Sequence, residues 1–137
     1  MILLCKEEAI SGIMEYLLVL LGIKTDDTPE IAVKTADRIA GLRVFSDEEG
    51  RMNISPKDAS AEILIVSQFT LYADVRSRRP GFTEAARPEM AIPLYETVIS
   101  EIKKRGFPVK TGVFGADMLV TSTNDGPVTI IIDSENR

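Results

Sequence analysis

The sequence predicts a mixed α/β domain in which two helices lie on one side of the sheet, and two kinds of pattern predict it. Long apolar runs rich in β-branched residues, typical of buried strands, occupy residues 13–23 and 62–73. Two segments with apolar residues at helical spacing, about 28–41 and 88–105, each end at a glycine. Shorter strand-like segments complete the pattern: 42–45, 108–113, 117–123 and 127–133. The resulting order, β-α-β-β-α-β-β-β, is typical of a mixed sheet covered by helices.

The ends of both helices carry local signals. At residues 27–30 (Asp-Thr-Pro-Glu) a capping residue precedes a proline at the first helical position and an early acid, and Gly41 closes the helix. In the second helix Pro93 lies near the first turn, where its missing N–H is tolerated, and Gly106 ends the segment. Residues 46–50 (Ser-Asp-Glu-Glu-Gly) predict a turn.

Length and composition fit a single domain over residues 1–137, with 45% hydrophobic and 27% charged residues. No apolar run approaches the ~20 residues of a membrane span. The N-terminus lacks the features of a signal peptide, so we predict no membrane partner. Cys5 is the one cysteine, which excludes an intramolecular disulfide and favours a reducing compartment, the cytoplasm.

Histidine is absent from the chain, and this absence excludes several functions. Neither a Ser-His-Asp triad nor a Cys-His pair can be assembled. A HExxH zinc site and a C2H2 finger are also impossible. An enzyme with this sequence must therefore work without an imidazole base, and we predict no metal and no cofactor.

The net charge of −5 argues against tight, non-specific nucleic-acid binding, but it does not exclude a local basic patch. Residues 74–87 predict an irregular loop that contains the candidates for phosphate contacts: Arg76, Arg78, Arg79 and Arg87. Residues 103–105 (Lys-Lys-Arg) are more typical of a solvated helix C-terminus. Phe82 has two interpretations of equal weight: it stacks on a nucleic-acid base beside the arginines, or it is tucked into the core.

Polar side chains interrupt the strand predicted at 62–73. Ser67-Gln68-Phe69-Thr70 places two hydroxyls and an amide in a run of Ile, Leu and Val. In a strand, the side chains of 67 and 69 face one way and those of 68 and 70 the other. Spacing alone favours a polar half-strand with satisfied hydroxyls. The functional alternative is that Gln68 and Thr70 line a pocket.

Two glycine-containing segments stand out further along the chain. Asn124-Asp125-Gly126-Pro127 predicts a hairpin turn, and its Gly-Pro bond is either an ordinary trans bond or a cis bond that turns its carbonyls outward. Gly115-Ala116 permits close approach of a ligand or another backbone, but the signal is weak alone and a β-bulge is the alternative.

Taken together, these segments resemble the D-aminoacyl-tRNA deacylase family. The two main signatures are Ser-Gln-Phe-Thr-Leu-Tyr-Ala-Asp at 67–74 and Asn-Asp-Gly-Pro-Val-Thr at 124–129. Three minor motifs match in the same order: 42–45, 78–82 and 114–118. The similarity runs from about Ile13 to the C-terminus. Residues 1–12 are atypical and look shortened, because the Gln-Arg-Val strand that usually opens the family is missing.

The resemblance implies a three-layer fold, two β layers and one helical layer, that forms a homodimer. It implies hydrolysis of the ester between a D-amino acid and the 3′-terminal adenosine of tRNA, with glycine as a further substrate. A cis Gly126-Pro127 pair would project into the partner subunit's site and reject L-amino acids. The partner is tRNA, and no DNA partner is expected.

The resemblance also implies roles for site residues. Gln68, with Ser67 and the backbone near Phe69 and Thr70, would bind the ester and polarise its carbonyl. The ribose 2′-hydroxyl would assist the reaction, and Thr70 would shape the pocket, because no base adjoins it in the sequence. The residues that would hold the terminal adenosine and admit the substrate are Phe82, Met118, Gly115 and Ala116.

Two other functions remain open from the sequence. One is a non-catalytic dimeric module that binds RNA ends or a partner protein; turnover of D-aminoacyl-tRNA without metal would distinguish it from an enzyme. The other is a small-molecule hydrolase, which predicts cleavage of simple D-amino-acid esters without RNA.

Overall fold

The structure is a computed structural model that describes residues 2–8 and 15–135. Within these ranges the strands are β1 (Ile2–Glu8), β2 (Glu15–Leu21), β3 (Phe45–Ser46), β4 (Met52–Ile54), β5 (Glu62–Ser67), β6 (Val109–Thr111) and β7 (Asn124–Ile132). The helices are α1 (Pro29–Gly41), α2 (Pro88–Lys104) and a single 3₁₀ turn at Phe69–Tyr72. Neither α-helix in this part of the chain has the length and hydrophobicity needed to cross a bilayer.

The strands form a five-stranded sheet in the order β6-β5-β2-β1-β7, and β3 and β4 form a separate two-stranded sheet. β2, β5 and β6 run parallel, whereas β1 is antiparallel to both β2 and β7. Leu21, the last residue of β2, pairs with Ser67, the last residue of β5. The segments that follow the three parallel strands therefore start from one edge of the sheet, which we call the carboxyl edge.

Both helices pack on one face of the five-stranded sheet. Alternate side chains of β2 and β5 point to the same face. They are buried in one cluster with residues from both helices: Leu17, Val19, Ile63, Ile65, Ala36, Ile39, Val98 and Ile102. The predicted mixed α/β class with two helices is confirmed. The three-layer arrangement and the homodimer stay predictions.

Local signals explain both helices. The Thr28 hydroxyl accepts a hydrogen bond from the Ile31 N–H at 3.3 Å, and Pro29 begins α1, as predicted. α2 begins at Pro88 and contains Pro93 in its interior, one turn further in than expected. The Thr97 hydroxyl donates to the Pro93 carbonyl at 2.8 Å.

The N-terminal part of the sheet differs from the prediction. The strand predicted at 13–23 is β2, and it is preceded by β1, a strand that the predicted element order did not include. β1 hydrogen-bonds to β2 on one side and to β7 on the other. Residues 9–14, which include the start of the predicted strand, lie outside the described residues.

Three further strand predictions need correction. The strand predicted at 62–73 ends at Ser67 and continues as the 3₁₀ turn, so the expected alternation of side chains over 67–70 is wrong. The strand predicted at 42–45 is the shorter β3, which pairs with β4 across the predicted turn. Residues 117–123 form no strand.

The hairpin predicted at residues 124–127 is also wrong. Asn124 begins β7, and its side chain holds an irregular stretch of that strand. The Asn124 amide donates to the Thr129 hydroxyl at 2.8 Å and accepts from the Val128 N–H at 3.0 Å. The register against β1 shifts at this point. The Gly126–Pro127 bond is cis, and Gly126 has a φ of +127°.

Candidate active site

A cavity of about 1040 Å³ opens at the carboxyl edge. Its walls come from the end of β5, from the loop that leads into α2, and from the segment after β6. It contains most of the site residues predicted from the sequence: Ser67, Gln68, Phe69, Phe82, Gly115, Ala116 and Met118. Four sequence-distant segments, counting the one after β2 at Thr25, thus meet because the parallel strands deliver them to one edge.

Three predicted site residues do not line this cavity. Thr70 is exposed, and its hydroxyl accepts a hydrogen bond from the Gln68 side-chain amide. Gly126 and Pro127 are exposed on β7, three strands away from β5 in the sheet. Within one chain, the two main signatures are therefore on different parts of the molecule.

The 3₁₀ turn after β5 presents unpaired backbone donors. The Gln68 N–H donates to the Leu21 carbonyl at 2.8 Å and so anchors the turn to the end of β2. Among the described residues, the N–H groups of Phe69 and Thr70 have no hydrogen-bond partner. The first N–H groups of a helical turn lack a partner within the helix. Two neighbouring N–H groups without a partner can stabilise the negative charge that develops on a carbonyl oxygen of a substrate.

Gly22 allows the turn to sit this close to β2. A Cβ at this position would lie 3.1 Å from the Gln68 carbonyl oxygen and 3.2 Å from the Leu71 Cβ. Both contacts are closer than ordinary van der Waals packing allows, and one of them is with backbone. Any other residue after β2 would force the 3₁₀ turn to move by a few tenths of an ångström, so glycine favours the position of the turn at the cavity.

Two aromatic rings form one wall of the cavity. Phe69 and Phe82 pack edge to face, with ring centroids 5.1 Å apart and an interplanar angle of 72°. Phe82 is 38% exposed, so the interpretation that places it in the core is wrong. Backbone hydrogen bonds of 2.8 and 3.0 Å between Asp74 and Gly81 close the loop that precedes it. An edge-to-face pair contributes about 0.5–1.5 kcal/mol and fixes the orientation of both rings.

Met118 forms another part of the cavity wall, and Gly112 makes room for it. A Cβ on Gly112 would lie 2.6 Å from the Met118 Sδ atom. Gly115, with a φ of +75°, turns the chain between these two residues. Phe114 packs edge to face on Tyr95 of α2, with centroids 5.7 Å apart, and this contact attaches the segment to the core.

The sequence did not predict three polar residues of the cavity, Thr25, Thr83 and Asp117. Thr25 follows β2, and its N–H donates to the Glu84 carbonyl at 3.0 Å. The parallel pairing of β2 with β5 brings it to the carboxyl edge, and no local pattern reveals that pairing. Arg87, predicted only as a phosphate contact, also lines the cavity.

The two basic clusters, the loop arginines of residues 76–87 and the helix end at 103–105, have different partners. Arg76 is held by Asp74 through several hydrogen bonds, and these hydrogen bonds lower the pKa of the Asp74 carboxyl. At the end of α2, Glu101 binds Lys104 at 2.7 Å and Arg105 at 3.0 Å. This agrees with the predicted solvated helix end. No group of three or more Cys, Asp or Glu suited to a metal occurs among the side chains that the structure describes, those of residues 15–135.

Comparison with known proteins identifies close relatives. Residues 2–133 match the model of a family described as D-Tyr-tRNA(Tyr) deacylase. A D-aminoacyl-tRNA deacylase of Thermotoga petrophila is 48% identical over 130 residues, which cover 94% of this chain and 87% of that protein. The Thermus aquaticus enzyme of the same name is 52% identical over 131 residues, covering 95% and 86%.

A solved structure called c-Myc DNA Unwinding Element Binding Protein superposes with a TM-score of 0.84. It is 36% identical, and the match covers 95% of this chain and 96% of that one.

Fold, cavity and relatives together define a hydrolase that acts on the ester bond of aminoacyl-tRNA. The chain belongs to the D-Tyr-tRNA(Tyr) deacylase family, and the resemblance drawn from residues 67–74 and 124–129 is confirmed.

Proposed function

We propose that this protein removes D-amino acids from tRNA by hydrolysing the ester to the 3′-terminal adenosine. The observation that carries the proposal is the family signature at Ser67-Gln68-Phe69, which ends β5 at the cavity beside two unpaired backbone donors. The substrate partner is tRNA, and the setting is the cytoplasm, where aminoacylated tRNA is used.

The reaction requires little from protein side chains. An aminoacyl ester is activated, so positioning and stabilisation of the carbonyl oxygen suffice to cleave it. The N–H groups of Phe69 and Thr70, with the Gln68 amide, bind that oxygen. The ribose 2′-hydroxyl of the substrate assists proton transfer. This mechanism fits a chain that contains no histidine.

Thr70→Ala should keep activity within roughly tenfold of the native chain, because the Thr70 hydroxyl is exposed and already accepts a hydrogen bond from Gln68. The kcat for D-tyrosyl-tRNA at saturating substrate measures this, with Thr70→Ser as the conservative control. Complete loss of turnover in a folded Thr70→Ala variant that still binds substrate would restore Thr70 as the nucleophile.

The terminal adenosine lies between Phe82 and Met118, and Gly115-Ala116 lets it approach the backbone. Gly112→Ala should therefore raise KM about fivefold, since the new methyl group pushes Met118 into the cavity at a cost of about 1 kcal/mol. Steady-state kinetics on D-tyrosyl-tRNA measure the change. The control is Gly41→Ala, whose added Cβ meets nothing within 4 Å, and an equal rise in both variants would contradict the prediction.

The chiral filter is supplied by a second copy of the chain. Gly126 and Pro127 are exposed and lie outside the cavity of their own chain, which suits insertion into a neighbour. Apolar side chains nearby are also exposed, with Ile131 at 65% on β7 and Leu119 at 96% in the segment before it. A homodimer would cover this apolar surface. Carbonyls of Gly126-Pro127 would then exclude the side chain of an L-amino acid, while glycine would be accepted.

The test is deacylation of matched D- and L-tyrosyl-tRNA, with and without a chelator. Loss of the D-ester alone, in both conditions, supports the deacylase and its filter together. Loss of neither ester supports the non-catalytic binding module. Cleavage of simple D-amino-acid esters at the same efficiency supports the small-molecule hydrolase. The absence of a DNA partner stays a prediction, and the net charge of −5 is its support.

A further inference from the structure

Arg87 occupies a distinctive place at the cavity. It lines the cavity where the loop enters α2, and its side chain is exposed. Among the described residues, no carboxylate lies within ion-pair distance of its guanidinium, and no hydrogen bond engages it. The nearest acids in the sequence, Glu84 and Glu89, leave it unpaired. An unpaired guanidinium at the mouth of a cavity is available to a ligand oxyanion.

The substrate carries an oxyanion at the corresponding place. A terminal adenosine in RNA is joined to the preceding nucleotide by one phosphodiester, which must lie at the mouth of the cavity when the adenosine is inside, since the rest of the RNA continues outwards from it. The cavity volume of about 1040 Å³ lies at the upper end of the ~300–1,000 Å³ that small-molecule sites occupy. It therefore has room for an aminoacyl-adenosine together with the phosphate attached to it.

We propose that Arg87 binds the phosphodiester on the 5′ side of the terminal adenosine, an inference that rests on the proposed deacylase function. The planar guanidinium can donate two parallel hydrogen bonds to phosphate oxygens. The contact orients the last nucleotide so that its ester meets the turn at Phe69.

The other loop arginines fit this role less well. Arg76 is engaged by the Asp74 carboxylate, which competes with a phosphate. Arg78 and Arg79 lie in the loop closed by the Asp74–Gly81 pair, and neither lines the cavity. On a protein with a net charge of −5, attraction of RNA has to be local. Among the described residues that line the cavity, Arg87 is the one cation. Asp117 is the one carboxylate there.

The experiment compares two substrates that differ in the phosphodiester, D-tyrosyl-tRNA and D-tyrosyl-adenosine. Arg87→Ala should lower kcat/KM roughly tenfold on the tRNA and less than twofold on the adenosine ester. The dependence of log(kcat/KM) on log salt should become shallower by about 0.7, the value of one contact to a single strand. Arg87→Lys should recover part of the loss, because a lysine keeps the charge without the fork.

Lys103→Ala is the matched control, since it removes one positive charge from the far end of the same helix. It should leave both substrates unchanged. Equal losses on the two substrates in Arg87→Ala would overturn the inference, because Arg87 would then act on the fold or the ester. Equal losses in Lys103→Ala and Arg87→Ala would overturn it too, since only general attraction would remain.

Binding of an uncharged CCA trinucleotide separates this inference from the proposed function. Arg87→Ala should weaken CCA binding roughly tenfold and leave adenosine binding unchanged. A native chain that shows this pattern but cleaves no ester would keep the phosphate site and reject the deacylase. A native chain that cleaves the D-ester, with a CCA affinity that does not depend on Arg87, would keep the deacylase and reject the site.

Discussion

Replacing Gly126 and Pro127 by alanine should reduce discrimination between D- and L-tyrosyl-tRNA roughly 10- to 100-fold. Gly126 has a φ of +127°, where residues with side chains are strained. A Cβ there would lie 2.7 Å from the Val128 Cγ2 and 3.1 Å from the Val128 backbone nitrogen. The backbone must shift to relieve these contacts, and the carbonyls proposed to exclude an L-side chain move with it.

The strain at position 126 should cost this variant some stability, but the fold should be retained because both residues are exposed. The ratio of kcat/KM for the two esters measures selectivity, and thermal unfolding measures stability. Adding Val128→Ala to Gly126→Ala removes the side-chain clash but keeps the clash with the backbone nitrogen, so it should restore selectivity only in part. A collapsed fold, or an unchanged ratio in a folded variant, would contradict the prediction.

Gln68→Ala should lower kcat on D-tyrosyl-tRNA roughly 100-fold. A glutamine amide has two N–H donors, and one of them is engaged by the Thr70 hydroxyl. The second is proposed to bind the ester carbonyl. The backbone at Gln68 remains anchored by its 2.8 Å hydrogen bond to Leu21, so the turn should survive the substitution.

Gln68→Glu tests the role of the amide donors more directly than Gln68→Ala does. It preserves size but replaces the donors by a carboxylate that only accepts, so kcat should fall at least as far as in the alanine variant. Circular dichroism checks that both variants fold. Native kcat in a folded Gln68→Glu variant would show that the amide donates nothing to the reaction.

The two helices could be predicted because their signals are local. Thr28 and Pro29 alone predict the start of α1, and the Thr28 hydroxyl caps the helix as expected. The 3₁₀ turn could not be predicted in this way. Phe-Thr-Leu-Tyr continues an apolar run with high β-propensity, and the strand ends only because Gln68 bonds to Leu21 and Gly22 leaves space.

Strand pairing explains the remaining errors in the fold. β1 is a strand because β2 and β7 pair with it, and the residues of β7 are far away in the sequence. Residues 117–123 have a similar apolar character but form no strand, and Asp117, Met118 and Val120 line the cavity instead. The hairpin signal at residues 124–127 failed because the Asn124 side chain bonds back into its own strand.

Site residues that lie together in one sequence motif, such as Ser67-Gln68-Phe69, could be predicted. Site residues that only the strand order brings to the cavity could not. Thr25 reaches the cavity because β2 is parallel to β5. The family resemblance is the basis for the prediction that the signatures at 67–74 and 124–129 act together. Within one chain they lie on separate strands of the sheet. The phosphate candidates were a cluster in the sequence, and contacts in the structure select Arg87 among them.

The position of β7 has a consequence for the order of folding. In the described chain this strand joins the five-stranded sheet only through β1, with Asn124 opposite Glu7. Contacts between residues so distant in sequence close the largest loop and form slowly. The cavity, built on β2, β5 and β6, needs none of them. Under the proposed filter, in which Gly126-Pro127 of one copy serves the cavity of the other, a cavity whose neighbour has not yet docked β7, or has lost it by local opening, would hydrolyse esters without regard to handedness. Selectivity for D-amino acids would then be the last property acquired on folding and the first one lost.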